Sequence, residues 1–420
     1  MTAATASLNR DIVVMGAVSS AHFLSHFFQL ALPPLFVFVS AGLGVSYVEL
    51  GLVMTGFYVA SGASQTVAGF LVDRFGPKIM LFAGTALLCI ASGLMSQADG
   101  FLALLLLSVL AGMGNSVFHP ADYSVLTATI SASRMARGYA VHTFGGYAGY
   151  AAAPLTMVLL AEAYGWRVAL AAAGIGGLVV LLAVIALSGS FVDPRGTAEE
   201  RARGENRTAA ANDGGIMGSL RMFAMPPVLL SFFYFTCLAA AGVGFQSFLP
   251  AIQHGLFDRP ERISAEALTC FLVAVSVGIL FGGMLADRVV KHDRIVAAGL
   301  AVAIAGVLLV ASVPFAAISL YAVVAVAGLG YGVTIPSRDM LVRAAAPEGA
   351  TGRIFGFVYS GLDVGAATAP LLIGLLLSAG QFAAGLWLVA AFMALAASVA
   401  LAVRLASFAR RRAAQAGNAA

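Results

Sequence analysis

The chain has 420 residues, 60% of them hydrophobic and 10% charged, with a mean hydropathy of +0.95 and a formal net charge of +4. This composition excludes an ordinary soluble domain, and the length holds about twelve bilayer-crossing helices of roughly 20 residues each. The basic residues are scattered over loops, which argues against nucleic acid as a partner. Cys89, Cys237 and Cys270 all lie in apolar segments and are too few for a disulfide scaffold.

A short polar lead, residues 1–11, runs into a long apolar segment interrupted by His22, His26 and Gln29. A secretory signal core is shorter and cleaner, so this reads as an uncleaved first helix. Spans are expected near 12–40, 47–72, 79–97, 101–128, 138–162 and 167–190. A second set is expected near 226–254, 264–286, 294–313, 316–343, 353–379 and 382–408. The charged, Gly- and Asn-containing stretch 191–225 reads as a cytoplasmic linker. It separates a half at 1–190 from a half at 226–420, which ends in a basic cytoplasmic tail. With the N-terminus placed in the cytoplasm, every Lys and Arg falls on the cytoplasmic side except Arg167, Arg259, Arg262 and Arg338. The positive-inside rule therefore predicts an even number of spans with both termini cytoplasmic.

Within the fourth expected span, AGMGNSVFHPAD (residues 111–122) carries Asn115, His119 and Asp122 at i, i+4 and i+7, one face of a helix. Ionisable groups at such depth normally face a bundle interior or a water-filled cavity. In the first span His22, His26 and Gln29 repeat the same spacing, and in the tenth Tyr331, Thr334 and Arg338 lie on one face. At about 1.5 Å per residue, His22 and His119 reach a similar depth, so the two can meet near mid-bilayer. Asp363 in the eleventh span is as deep, with Tyr359 one turn away.

The halves repeat. At a shift of 216, Ala111, Gly112, Gly114, Val117 and Pro120 fall on Ala327, Gly328, Gly330, Val333 and Pro336; Arg137, Gly145, Gly149 and Pro154 fall on Arg353, Gly361, Gly365 and Pro370. The chemistry is not repeated, because Ile335 stands opposite His119 and Arg338 opposite Asp122. Two six-span halves joined by a linker are an architecture of secondary transporters.

GFLVDRFGPK (residues 69–78) resembles the loop signature of the major facilitator superfamily between its second and third spans, and GGMLADRVVK (282–291) resembles a weaker second copy. SHFFQLALPPLF, SVFHPAD and FGGYAGYAAAPL resemble that superfamily's fosmidomycin-resistance branch, exporters of a small phosphonate antibiotic. The branch pattern places acidic residues where this chain has His26 and Ala121, with Asp122 one place later. The arginine usual in the fourth span of proton-driven drug exporters is replaced by Ser108.

The resemblance implies an all-α membrane protein of twelve transmembrane helices, whose two halves rock about a central site. That site is expected to use His22, His26, Gln29, Asn115, His119, Asp122, Tyr331, Arg338, Tyr359 and Asp363. It also implies that Gly69, Asp73, Arg74, Gly76 and Lys78, with Asp287 and Arg288 of the second copy, form a latch for one gating state. From the residues themselves, Arg338 needs a carboxylate or an anionic ligand. The first reading makes it a binding group for an acidic substrate. The second pairs it with Asp339, Asp363 or Asp122, or lets it reach the inner surface. His119 and Asp122 suit a proton relay or, alternatively, satisfy backbone freed by Pro120. His22 and His26 with His119 and Asp122 have metal-ligand chemistry, but the expectation is no bound metal; His142 is expected to be peripheral.

The leading expectation is proton-coupled export of a small anionic organic compound by alternating access, from a monomer embedded in the lipid bilayer of the bacterial inner membrane. Proton-coupled uptake of an organic anion and transport of a transition metal or its chelate are the alternatives. No cofactor is expected, and no nucleophile-plus-base pair or GxxxxGK[ST] phosphate loop marks an enzyme or ATP-driven pump.

Overall fold

The structure is a computed structural model that describes residues 3–131, 134–192, 222–286, 291–345 and 351–417; the side chains of residues 3–7, 66, 136, 339, 342–345, 351–356, 404 and 406–417 fall outside that description. Most of the expected linker, from 193 to 221, and Asp287 and Arg288 of the second loop copy lie outside the described residues. The chain divides into two compact units, Met1–Ala211 and Asn212–Ala420. Among the described residues both units are helical and contain no strand.

The first unit holds α1 (Ala3–Gln29), α2 (Phe36–Leu43), α3 (Tyr47–Phe75), α4 (Pro77–Leu94), α5 (Phe101–Asn115), α6 (Phe118–Thr129), α7 (Met135–Tyr164) and α8 (Trp166–Leu187). The second holds α9 (Pro226–Phe257), α10 (Glu261–Ala286), α11 (His292–Ser312), α12 (Ala317–Ala345), α13 (Thr351–Ser378) and α14 (Phe382–Gly417). Eleven stretches of described helix are long and apolar enough to cross a membrane. The second expected span, α3, is long enough at 29 residues, but Ser61, Gly62, Ser64 and Gln65 dilute its apolar character.

Two expected spans are broken by proline, which supplies no N–H to the helix ladder. Pro33 and Pro34 start a 3-10 turn that separates α1 from α2. Pro120 sits in the first turn of α6, after a two-residue irregularity at Ser116 and Val117 that ends α5. Local chemistry also fixes helix ends. Ser46 caps α3 through a reciprocal pair, its hydroxyl accepting from Glu49 N–H while Glu49 accepts from Ser46 N–H at 2.7 Å. Gly76 alone connects α3 to α4 at φ 93° and ψ 145°, a conformation essentially restricted to glycine, and Pro77 opens α4 with a preset φ.

Each unit packs by the same scheme. In the first, α1 lies on α7, α3 on α5, and α4 on α5 and α8; in the second, α9 lies on α13, α10 on α12, and α11 on α12 and α14. The glycines seen to repeat in the sequence are the contact points. A Cβ on Gly145 would meet Ser19 O at 2.7 Å, and one on Gly361 would meet Phe232 O at 2.6 Å. Gly149 abuts the Phe23 carbonyl, and Gly365 the Thr236 carbonyl, still more closely. These approaches bring helix backbones together as small residues do in membrane bundles. Large apolar side chains such as Phe70, Ile175, Leu280 and Ile318 point outward and are largely exposed, the arrangement a lipid solvent favours.

Candidate functional site

The first unit encloses a cluster of four imidazoles around one carboxylate. His22 and His26 come from α1, His119 and Asp122 from α6, and His142 from α7. Asp122, His22 and His142 are buried, His26 is half-buried and His119 is exposed at the margin. Oδ2 of Asp122 lies 3.4 Å from Nδ1 of His22 and 3.8 Å from Nδ1 of His142. The His22 and His142 rings stack with centroids 3.8 Å apart, and His22 touches the rings of His26 at 4.5 Å and His119 at 5.7 Å. Gly146 makes the room: a Cβ there would come within 2.8 Å of the His22 ring and 3.1 Å of the His26 ring.

Below this cluster runs a neutral hydrogen-bond chain. Tyr150 donates its hydroxyl proton to Gln29 Oε1 at 2.6 Å, and Gln29 Nε2 donates to Ser25 at 3.4 Å. Ser25 donates to Asn115 Oδ1 at 2.7 Å, and Asn115 Nδ2 donates to Ser61 at 3.0 Å. Asn115, His119 and Asp122 therefore all meet α1, even though the irregularity before Pro120 interrupts the helix that carries them. Asn115 serves the neutral chain, while His119 and Asp122 belong to the ionisable cluster.

Both carboxylate oxygens of Asp122, Nδ1 of His22 and His26, and both ring nitrogens of His142 are buried without a hydrogen-bond partner among the described residues. Leaving such groups unsatisfied in an apolar interior is costly. A proton shared between carboxylate and imidazole, or a cation, offsets that cost. The arrangement can thus hold a proton on either partner at the same total charge.

The second unit places different chemistry at the matching positions. Ser19 and Phe23 under the α7 glycines correspond to Phe232 and Thr236 under the α13 glycines, so His22 corresponds to Phe235. The guanidinium of Arg338, which stands opposite Asp122 in the repeat, lies 4.5 Å from the centroid of that Phe235 ring and 5.8 Å from that of Tyr359. Phe235 and Tyr359 are themselves 5.0 Å apart. Asp363 is half-buried on α13, one turn from Tyr359. Tyr331 is buried and donates to the Leu238 carbonyl at 2.9 Å, tying α12 to α9, and Thr334 is fully buried beside Gly299.

At the expected latch, Asp73 and Arg74 are exposed at the end of α3, and Arg74 lies over the Phe75 ring at 5.4 Å. Lys78 donates to the Ser188 carbonyl at 3.1 Å, just past the C-terminal end of α8, where a cation complements the helix dipole. Gly69 has open space where a Cβ would sit.

His142 corrects an expectation. It is not peripheral but stacked in the middle of the cluster. The signal lay in its spacing: it precedes Gly145 and Gly146 by one turn, on the face of α7 that the glycines press against α1. Ser25, Ser61 and Tyr150 were also missed. Ser25 falls between His22 and Gln29 on their own helical face, and Tyr150 lies four residues after Gly146.

A sequence profile of the Major Facilitator Superfamily matches residues 18–265 and 258–419. The chain is similar to the fosmidomycin resistance protein of Escherichia coli (strain K12), 24% identical over 383 residues and covering 88% of each chain. It is also similar to the probable sulfoacetate transporter SauU of Cupriavidus necator, 25% identical over 290 residues, 67% of this chain and 66% of that one. Among solved structures, a bacterial homolog of the human lysosomal transporter Spinster, inward-facing and unoccupied, superposes with a TM-score of 0.76 at 15% identity, covering 95% and 97% of the two chains. That likeness is one of fold.

Proposed function

This chain belongs to the Major Facilitator Superfamily and is a multi-pass membrane transporter, and from that premise we propose that it exports a small anionic organic compound in exchange for protons. One observation carries the proposal: repeat-equivalent positions hold Asp122 against His22 in one unit and Arg338 against Phe235 in the other. The carboxylate–imidazole pair is a proton carrier. The guanidinium is a planar, permanently charged donor suited to a carboxylate, sulfonate or phosphonate, and the aromatic face behind it holds it in place. The names of two relatives, one for fosmidomycin resistance and one for sulfoacetate, are in keeping with a small acidic substrate.

In this reading residues 1–190 and 226–420 form two six-helix halves with a cytoplasmic linker between them, both termini cytoplasmic, in the bacterial inner membrane, acting as a monomer. His26, His119, Gln29, Asn115, Tyr331, Tyr359 and Asp363 complete the substrate and proton path. Gly69, Asp73, Arg74, Gly76 and Lys78, with Asp287 and Arg288, latch one gating state. The test is flux in proteoliposomes under an imposed pH gradient, with sulfoacetate, a phosphonate and a neutral amide of similar size. Gradient-driven movement of the acids but not the amide supports the proposal. Equal movement of all three, or acid flux indifferent to the gradient, refutes it. Proton-coupled uptake is the second reading, since the same groups serve either direction, and flux in right-side-out against everted vesicles separates the two.

A further inference from the structure

We propose that His22, Asp122 and His142 form a binding site for a divalent transition metal of the zinc class, and that occupancy of this site arrests the transporter. The ligand atoms of these three buried residues lie within 4.8 Å of one another. Two ligands on a zinc ion, bonded at about 2.0–2.1 Å in tetrahedral geometry, stand about 3.3 Å apart. The 3.4 Å between His22 Nδ1 and Asp122 Oδ2 already has that spacing. The 3.8 Å from Asp122 Oδ2 to His142 Nδ1 closes a little, and the stacked His22 and His142 rings turn so that their nitrogens, within 4.8 Å, converge on the ion.

The donor set matches as well. Imidazole nitrogens with one carboxylate oxygen suit zinc, cobalt and nickel over calcium or magnesium, which prefer oxygen alone. Each ligand atom is buried and lacks a hydrogen-bond partner among the described residues. One positive ion would satisfy all of them together. The fourth position is open to water, and the His26 and His119 rings both contact His22. His119 is exposed and His26 half-exposed, giving an entering ion imidazoles to exchange between on its way to the buried set.

The three ligands come from α1, α6 and α7, so a bound ion staples three helices that glycine seams and side-chain hydrogen bonds such as Tyr150 to Gln29 already bring together. The arrest rests on that staple across α1, α6 and α7 and on the transport reading above; the binding rests on the ligand geometry alone.

The full-length protein, purified with a tag free of histidine, is titrated with Co2+ in detergent. One equivalent giving intense visible bands of tetrahedral type, displaced by Zn2+, is the expected result. His142→Ala weakens Co2+ binding at least tenfold while its metal-free melting temperature stays close to wild type, and His254→Ala, outside the cluster, binds as wild type. No stoichiometric binding, six-coordinate spectra, or unchanged affinity in His142→Ala overturns the site. Should His142→Ala fail to fold, the wild-type Co2+ spectrum decides alone. No gradient or substrate enters this titration, so its failure is distinct from failure of the transport proposal. For the arrest, Zn2+ reduces wild-type flux over the same concentration range as it displaces Co2+; undiminished flux at full occupancy overturns it.

Discussion

Nδ1 of His22 lies 3.4 Å from Oδ2 of Asp122, and the residue that takes the place of His22 in the second unit, Phe235, lies beneath Arg338. The same seam between the first helix of a unit and its glycine-bearing partner is filled by an imidazole beside a carboxylate in one case and by a phenyl ring that faces a cation in the other. Function is therefore expected to divide, with coupling in the first unit and anion recognition in the second.

Asp122→Asn tests coupling. The amide is nearly isosteric with the acid but carries no titratable proton. Flux driven by a pH gradient is expected to fall to background, while substrate exchange in the absence of a gradient persists. Gradient-driven flux equal to wild type would move coupling away from Asp122.

Arg338→Ala and Arg338→Lys test anion recognition together. Alanine removes the charge, and acid-substrate affinity is expected to drop at least tenfold, about 1.4 kcal/mol. Lysine keeps the charge but loses the planar fork and the stacked face on Phe235, so an intermediate loss is expected. Binding by thermal shift or calorimetry reads both. Wild-type affinity in the alanine variant would make Arg338 a packing residue.

Gly149→Ala and Gly69→Ala form a matched pair. At Gly149 the new methyl group meets the Phe23 carbonyl of α1, an overpacking that costs about 1–3 kcal/mol. At Gly69 nothing lies within 4 Å, so alanine is neutral or stabilises the helix by up to about 1 kcal/mol. Melting in detergent should separate the two variants in that order; equal melting would show that α1 and α7 do not rely on the seam.

Much of this is legible in the sequence. Periodic apolar segments and the distribution of Arg and Lys predict the spans, and the repeated glycines predict close helix contacts, because lipid-facing and backbone-facing constraints are local. What was not legible depended on which helix faces which. Asn115 and Asp122 share a helical face, yet only the packing of α1 and α3 directs Asn115 to Ser25 and Ser61 and Asp122 to His22. His142 looked marginal because its importance comes from the neighbour that Gly145 and Gly146 admit, not from its own segment. The backbone freed by Pro120 is legible in the sequence, but the interruption at Pro33 falls inside an expected continuous span, since hydropathy averages over a proline without registering the lost donor.

Tyr150→Phe probes the neutral chain below the cluster. It removes the hydroxyl that donates to Gln29 at 2.6 Å and leaves the ring against His26. A loss of about 1 kcal/mol in stability is expected, with gradient-driven flux retained. Abolished flux in a stably folded variant would show that the Tyr150 hydroxyl itself, and not only Gln29 and Asn115, is needed in the path.

The glycine seams set the separation of α1 from α7, and of α9 from α13, by backbone contact, leaving the rings between them no say in it. The socket is thus indifferent to what it holds. A duplicated half could exchange imidazole for phenyl, and carboxylate for guanidinium, without relearning how to fold. The two units read as one mould cast twice, with different inserts.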